Sequence, residues 1–385
     1  MKKVLILQNI GNTYGGVWQV NRLIGEELIK HNYDVSIVSI RNVKNNIVLE
    51  HDAKLHLYTI NENDTWGTYS GQEILAKLKD IRPLKAIQML IDKIKYNINI
   101  KDDINKLHKY IEEYKPNYII TSHYELISMI PNEFLNITMH EQHSSLEFAF
   151  NHKGTKKVFE KYKDKIKFIF LTKQAELYAK KIGIDNWTYI YNPVRFESKR
   201  VADVKNSKKL ITIARLSQEK NIDGMVRIVK DIFKDKQFKD WTLEIYGDGE
   251  EYQRIVAEIN NHPQIKLMGL TNNPKEKLLT AAINLNTSPY EGFCLSILEA
   301  NECGVPTITF NFGESVTEEI IDGETGLVAN DYDDYIDKLK MLMRDKDKLF
   351  ELAKNCKEFN KQFQVEEIIK KWLELFKDID NGGNI

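Results

Sequence analysis

The segment Ser288-Pro289-Tyr290-Glu291-Gly292-Phe293-Cys294-Leu295-Ser296-Ile297-Leu298-Glu299-Ala300 carries two carboxylates, Glu291 and Glu299, separated by seven residues. The apolar run before it, Ile283–Thr287, reads as a buried strand. Glu291 then falls in a loop beside Gly292, and Glu299 lies well inside the following helix, which Gly304 and Pro306 stop. The start of that helix, near Phe293 to Leu295, offers unpaired N–H groups and the positive end of the helix dipole. Such a site holds an anion and suits a diphosphate.

Outward from this segment the same strand–loop–helix unit recurs. Val4–Leu7 reads as a strand, Gly11 to Gly16 as a loop, and Val17 to Lys30 as a helix with Val20, Leu23, Ile24 and Leu28 on one face. Val35–Ile40 completes a βαβ unit, whose crossover is right-handed. Further strands are expected at Tyr118–Thr121, Ile137–His140, Phe168–Leu171 and Thr188–Tyr191. After a polar, basic stretch, Glu197 to Lys209, a second series follows at Leu210–Ala214, Thr242–Tyr246, Ile265–Met268 and Pro306–Phe310. The alternation predicts α/β architecture in two domains, each a parallel sheet covered by helices. The expected divisions are 1–195, 205–365, and a C-terminal helix and tail at 366–385. The last helix, Val365–Lys377, is free on pattern alone to pack on either half.

With 385 residues the chain exceeds one ordinary core, which agrees with two domains. A hydrophobic fraction of 42% and a charged fraction of 29% read as soluble and globular. The formal net charge of -1 gives no basic footprint for nucleic acid, so none is expected as a partner. No apolar run approaches the length of a membrane span. The opening Met-Lys-Lys and Val4–Leu7 resemble a signal peptide for too few residues before Gln8-Asn9. Three cysteines, Cys294, Cys303 and Cys356, without metal-type spacing, favour a reducing cytoplasm over disulfides or zinc. Residues 61–80 read as a polar loop. The helix after Pro83 carries Leu84, Ile87, Leu90, Ile91 and Ile94 on one face, flanked by Arg82, Lys85, Lys93 and Lys95. Two readings stay open for it: a face that covers the sheet, or a peripheral contact with the inner face of the cell membrane.

The pair Glu291 and Glu299 resembles the Glu-x7-Glu motif of the retaining glycosyltransferases of family 4, and this resemblance implies the GT-B fold, two Rossmann-like, doubly wound domains facing across a cleft. Other pieces stand in that family's order. Gly15-Gly16 resembles the glycine pair after the first strand, and His143-Ser144 a His-Thr/Ser pair in mid-domain. Asn192-Pro193-Val194 resembles an Asn-Gly-Val, with Pro in place of Gly. Ile213-Ala214-Arg215-Leu216 with Lys220-Asn221 resembles Gly-Arg-Leu…Lys-Gly/Asn, with Ala214 in the Gly place. Tyr246-Gly247-Asp248-Gly249 resembles a Gly-x-Gly turn, and Gly313, Glu319, Asp322-Gly323 and Thr325-Gly326-Leu327-Val328 resemble the tail of the donor domain. The likeness is strongest from Leu210 to Val328 and weakest from Val43 to Ile104.

The resemblance implies a role for each matched residue. Arg215 and Lys220 would hold the donor diphosphate and stabilise the leaving nucleotide. Glu299 would take the ribose hydroxyls. Glu291 would bind the donor sugar, beside the N–H groups of Gly292, Phe293, Cys294 and Leu295. His143 would lie near the sugar across the cleft, and Gly16 would let backbone approach the diphosphate. Gly247 would shape the turn, and the base would rest near Met268 to Leu270. The activity implied is transfer of a hexose or N-acetylhexosamine from a nucleotide-sugar, UDP being the favoured carrier. The acceptor would be a bacterial surface glycan, teichoic acid, lipid-linked glycan or protein. No cofactor and no metal are expected, although His140-Glu141-Gln142-His143 has metal-like spacing.

Other classes fit less well. A glycoside hydrolase using the two glutamates has no use for a diphosphate clamp. A non-catalytic partner or chaperone of an active transferase would be expected to lose Glu or Arg positions that this chain keeps. A nucleotide-sugar epimerase shares the architecture and is separated by incubating donor without acceptor. A nicotinamide dehydrogenase lacks its Gly-x-Gly-x-x-Gly here.

Overall fold

The computed structural model describes residues 1–11, 15–41, 51–61, 83–313 and 315–381. Two wholly parallel sheets organise them. The first holds β1 (Lys2–Ile10), β2 (Tyr33–Arg41), β3 (His56–Asn61), β4 (Tyr118–Thr121), β5 (Thr138–Gln142), β6 (Lys167–Phe170) and β7 (Trp187–Tyr189). Its order is β3-β2-β1-β4-β5-β6-β7. The second holds β8 (Lys209–Ile213), β9 (Thr242–Tyr246), β10 (Ile265–Gly269), β11 (Ile283–Leu285), β12 (Thr307–Phe310) and β13 (Gly326–Ala329), in the order β10-β9-β8-β11-β12-β13. In each sheet the order reverses beside the first strand of its series. Ligands of open α/β sheets gather there, outside the carboxyl ends of the strands.

The Val4–Leu7 run of β1 reads as continuously apolar because it is covered on both faces. Val4, Leu5, Ile6 and Leu7 are all buried: Val4 and Ile6 pack in one core with Trp18, Val20 and Ile24, and Leu5 and Leu7 in another with Leu107 and Ile111. The second sheet's core joins Leu210 and Ile211 to Met225, Val226 and Val229 of the helix Ile222–Phe233.

Strands β3 and β13 were not anticipated. His56-Leu57-Tyr58 is exposed, so this edge strand lacks a buried alternation, and Gly326 opens a four-residue run too short to declare itself. The loop expected at 61–80 and Arg82 lie outside the described residues, apart from Asn61, which ends β3.

The helix after Pro83 is 32 residues long, Pro83–Tyr114. Its distal half covers the sheet through Leu107 and Ile111, whereas Ile87, Leu90 and Ile91 are 50%, 44% and 41% exposed. Ile87, Leu90 and Ile91 of the apolar face therefore do not cover the sheet. The side chains of Leu84, Lys85, Lys93, Ile94 and Lys95 lie outside the described set. Among the described residues no helix is long and apolar enough to cross a membrane.

The final helix, Val365–Asp380, returns to the first sheet. Trp372 and Phe376 are fully buried, and Phe376 stacks on Tyr118 at 4.1 Å between ring centroids. Its end is held by Asp380, which accepts from Tyr118 Oη at 2.8 Å and pairs with Lys2. Each such large apolar side chain contributes about 1.5–3 kcal/mol by burial. Where the chain passes between the sheets, Tyr191, Phe293 and Phe363 form one aromatic cluster, with centroids 5.2–5.6 Å apart. The Val194 N–H donates to the Phe363 carbonyl at 2.8 Å.

Candidate donor-binding cleft

A cleft of about 1250 Å³ opens between the two sheets. Gly15, Gly16, Gln19 and Arg22 line it from the first domain. Arg195, Arg215, Lys220, Gly247, Leu270, Glu291 and Leu295 are among those lining it from the other side.

Two loops at the carboxyl end of the second sheet are locked backbone to backbone. The Ala214 N–H donates to the Tyr246 carbonyl at 3.0 Å, and that of Leu216 to Asp248 at 2.9 Å. Gly247, at φ +149°, sits so close that a Cβ would lie 1.9 Å from the Ala214 carbonyl oxygen. Only glycine fits there. This explains the Tyr246–Gly249 turn and fixes Arg215 at the rim, 65% exposed, with Glu250 at 3.1 Å.

Lys220 closes a short 3-10 turn, Gln218–Lys220. The Thr287 hydroxyl donates to the carbonyls of Lys220 and Asn221, at 3.1 and 3.0 Å, which ties this turn to the loop after β11. The tie brings Lys220 Nζ to 2.5 Å from Glu291 Oε1. Burial opposes the ammonium charge, but the Glu291 carboxylate beside it outweighs that, so the pKa of Lys220 is raised. Lys220 is therefore a charged, partly enclosed cation facing the cleft, unlike the solvated Arg215.

The helix expected after Gly292 runs Leu295–Glu302, with Cys294 as N-cap. The Cys294 N–H is already taken: it donates to both oxygens of Glu319, at 3.0 Å each. Glu319 is completely buried, and that burial pushes its pKa well above the carboxylate range. Leu295 and Ser296 occupy the first helical positions, where N–H groups have no intrahelical acceptor.

Not every expected site residue lines the cleft. Glu299 is 1% exposed and does not line the cleft; its Oε1 pairs with Arg195 Nε, and its Oε2 has no hydrogen-bond partner among the described residues. The cause is the chain crossing after Val194, which lays Arg195 over this helix. Phe293 borders the cleft, but its ring is 6% exposed and stacked on Tyr191, a packing role. The Cys294 thiol is buried, and desolvation raises its pKa, so it is unreactive. Met268 is 43% exposed and outside the lining, whereas Leu270 lines it.

The His143 backbone lies against the loop at Gly292, and neither residue lines the cleft. A Cβ on Gly292 would lie 2.1 Å from the His143 carbonyl oxygen, so the two domains touch here. Its ring is 9% exposed, does not line the cleft, and has Nε2 at 3.2 Å from Glu141 Oε2 without hydrogen-bond geometry. His140 is enclosed, with Thr121 Oγ1 at 2.9 Å and Gln142 Oε1 at 3.0 Å. Burial lowers its pKa to about 4. Among the described residues no group of three or more His, Cys, Asp or Glu is arranged to hold a metal ion. Gly16 does line the cleft; a Cβ there would stand 3.2 Å from Leu295 Cδ1, so its smallness brings the two walls together.

The sequence reading passed over Arg195 and the function of Glu319. Nothing local marks either, because each acts on a helix more than twenty residues away.

Residues 194–363 match the family model described as Glycosyl transferases group 1, which spans the second sheet and the cleft wall it carries. The poly(glycerol-phosphate) alpha-glucosyltransferase of Bacillus subtilis is 26% identical over 262 residues, 63% of this chain and 38% of that relative. The chain thus spans well under half of that relative's length. An uncharacterized glycosyltransferase of Haemophilus influenzae is 23% identical over 97% of this chain and 99% of its own length. Among solved structures, S. aureus TarM, crystallised with fondaparinux, alpha-GlcNAc-glycerol and UDP, superposes with a TM-score of 0.76 at 16% identity. That match covers 98% of this chain and 100% of TarM's. The architecture is GT-B, and the chain is similar along its length to bacterial glycosyltransferases.

Proposed function

We propose that this chain is a retaining, metal-independent glycosyltransferase. It moves a hexose or N-acetylhexosamine from a UDP-sugar to a teichoic acid, another bacterial surface glycan, a lipid-linked glycan or a protein. The observation that carries the reading is the Lys220–Glu291 pair at the entrance of the helix Leu295–Glu302, opposite Gly16. A cation, a carboxylate and a helix N-terminus converge on one cleft wall, as a diphosphate joined to a sugar requires.

In this reading the diphosphate replaces Glu291 as the partner of Lys220, and Arg215 closes from the rim. Glu291 is thereby released to accept hydrogen bonds from hydroxyls of the donor sugar. The bond from the anomeric carbon to the diphosphate oxygen breaks, and an acceptor hydroxyl oxygen bonds to that carbon from the same face. The acceptor's proton passes to the departing diphosphate. Lys220 and Arg215 offset the charge that develops there. The chain works in the cytoplasm. Exposed Ile87, Leu90 and Ile91 supply a peripheral contact with the inner face of the membrane, where lipid-linked acceptors lie.

The test is UDP release and sugar transfer from UDP-glucose and UDP-N-acetylglucosamine to poly(glycerol-phosphate), poly(ribitol-phosphate) and a serine-rich peptide. Glu291→Gln should abolish most transfer while UDP still binds. Unchanged turnover in Glu291→Gln contradicts the role assigned to it.

A further inference from the structure

The loop that carries Glu291 is held from two sides. On one, the Phe293 ring stacks on Tyr191 of the first domain, with centroids 5.5 Å apart. On the other, the buried Glu319 accepts the Cys294 N–H with both oxygens, where the Cys294 side chain makes no cap bond of its own. Glu319 ends a four-residue helix, Val316–Glu319, and the two residues before it bond to the first domain. Glu318 is engaged there through both oxygens: Oε1 accepts from the Gln174 N–H at 3.1 Å and Oε2 from the Tyr191 hydroxyl at 2.5 Å. The Gln174 side-chain amide donates to Thr317 Oγ1 at 2.6 Å. Burial, and then the Glu318 carboxylate, raise the pKa of Tyr191 above its ordinary value, so its hydroxyl stays a donor. Tyr191 therefore meets both ends of one circuit: Phe293 through its ring, and Cys294 through Glu318 and Glu319.

We propose that Tyr191 is a positioning residue for sugar transfer, the group by which the first domain sets the loop bearing Glu291. Its ring bears on the residue two after Glu291, and its hydroxyl on the helix whose last carboxylate holds Cys294. Tyr191 and Gln174 belong to the first domain, Glu318 and Glu319 to the second, so separating the domains breaks both links at once. Tyr191 is not among the residues lining the cleft, so removing its hydroxyl should alter turnover and spare nucleotide binding. The inference rests on Glu291 acting on the donor sugar.

The experiment measures UDP release and sugar transfer from UDP-glucose and UDP-N-acetylglucosamine, beside calorimetric UDP affinity and a thermal melt. Tyr191→Phe keeps the ring on Phe293 and removes the hydroxyl. Glu318→Ala removes the acceptor, leaves the ring, and carries the test alone should Tyr191→Phe not fold. A loop shifted from its working geometry turns over slowly, so each variant should lower kcat about tenfold. UDP affinity should stay within about twofold of wild type, a split that a merely structural role would not give. Because both act through one hydrogen bond, the double variant should be no slower than the slower single one. A kcat within about twofold of wild type in folded variants, an equal loss of kcat and UDP affinity, or a double variant whose loss is the product of the singles overturns the inference. Glu291→Gln assayed alongside separates the two readings. Turnover lost there but kept in Tyr191→Phe overturns this inference alone; turnover kept there, or a folded wild type that consumes neither donor, removes the role of Glu291 and this inference with it.

Discussion

Gly292→Ala tests how closely the two domains are fitted. The added methyl carbon would stand 2.1 Å from the His143 carbonyl oxygen and 2.9 Å from the carbonyl carbons of both His143 and Ser144. These are backbone atoms at the end of β5, so no side chain can turn aside. Ordinary carbon–oxygen contact lies near the 3.5 Å scale of van der Waals separations, so relief needs a shift of roughly 1 Å. The loop that must move carries Glu291, one residue away, and with it the partner of Lys220. A displacement of about 1 Å at a reacting centre costs on the order of 100-fold in rate. Overpacking of this kind costs about 1–3 kcal/mol of stability, so the variant should still fold. The assay is steady-state transfer with UDP-glucose or UDP-N-acetylglucosamine, beside calorimetric UDP affinity and a thermal melt. The expected result is a kcat lowered about 100-fold with a modest change in UDP affinity. A kcat within twofold of wild type, in folded protein, refutes the account of this contact.

Arg215→Ala should weaken UDP binding about tenfold or more, by loss of a charge-assisted contact, while leaving the melting temperature nearly unchanged because the side chain is 65% exposed. Equal UDP affinity in variant and wild type would remove Arg215 from the clamp. The pKa of His140 falls from its ordinary 6.5 to about 4 in the folded chain because it is buried. Between those pH values the unfolded chain binds the extra proton, so this group's contribution is full above pH 6.5 and is lost as the pH falls toward 4. His140→Gln should reduce the slope of stability against pH in that window by about 1.4 kcal/mol per unit, and an unaltered slope would contradict it. Trp372→Ala, in the helix that returns to the first sheet, should cost about 3–5 kcal/mol, read by denaturant unfolding. A loss below 1 kcal/mol would mean the helix does not hold that core.

Strands were legible where the sequence shows an apolar run or an alternation. Val4–Leu7 announces itself as an apolar run, and Thr242–Tyr246 alternates buried Leu243 and Ile245 with half-buried Thr242 and Glu244. The edge strand β3 escaped because Leu57 and Tyr58 face solvent and show no buried alternation. The clustering of Glu291 and Lys220 was legible because they and the glycines follow local rules, a loop before a helix and a turn that excludes Cβ. The burial of Glu299 was not, because only the path of the chain after Val194 lays Arg195 over it. Likewise, Gly292 looked like a loop residue. Its close approach to His143 joins two segments about 150 residues apart, which no local pattern records.

The central claim is that the cleft at Lys220 and Glu291 binds a nucleotide-sugar. Calorimetric titration of UDP, GDP, ADP and CMP, each with its common sugars, tests it most directly, with Arg215→Ala as control. The account predicts selective binding of uridine nucleotides, weakened in Arg215→Ala, with stabilisation of about 2.7 kcal/mol at a hundredfold excess over Kd. Folded protein that binds none of these nucleotides, or binds them equally well without Arg215, would contradict it.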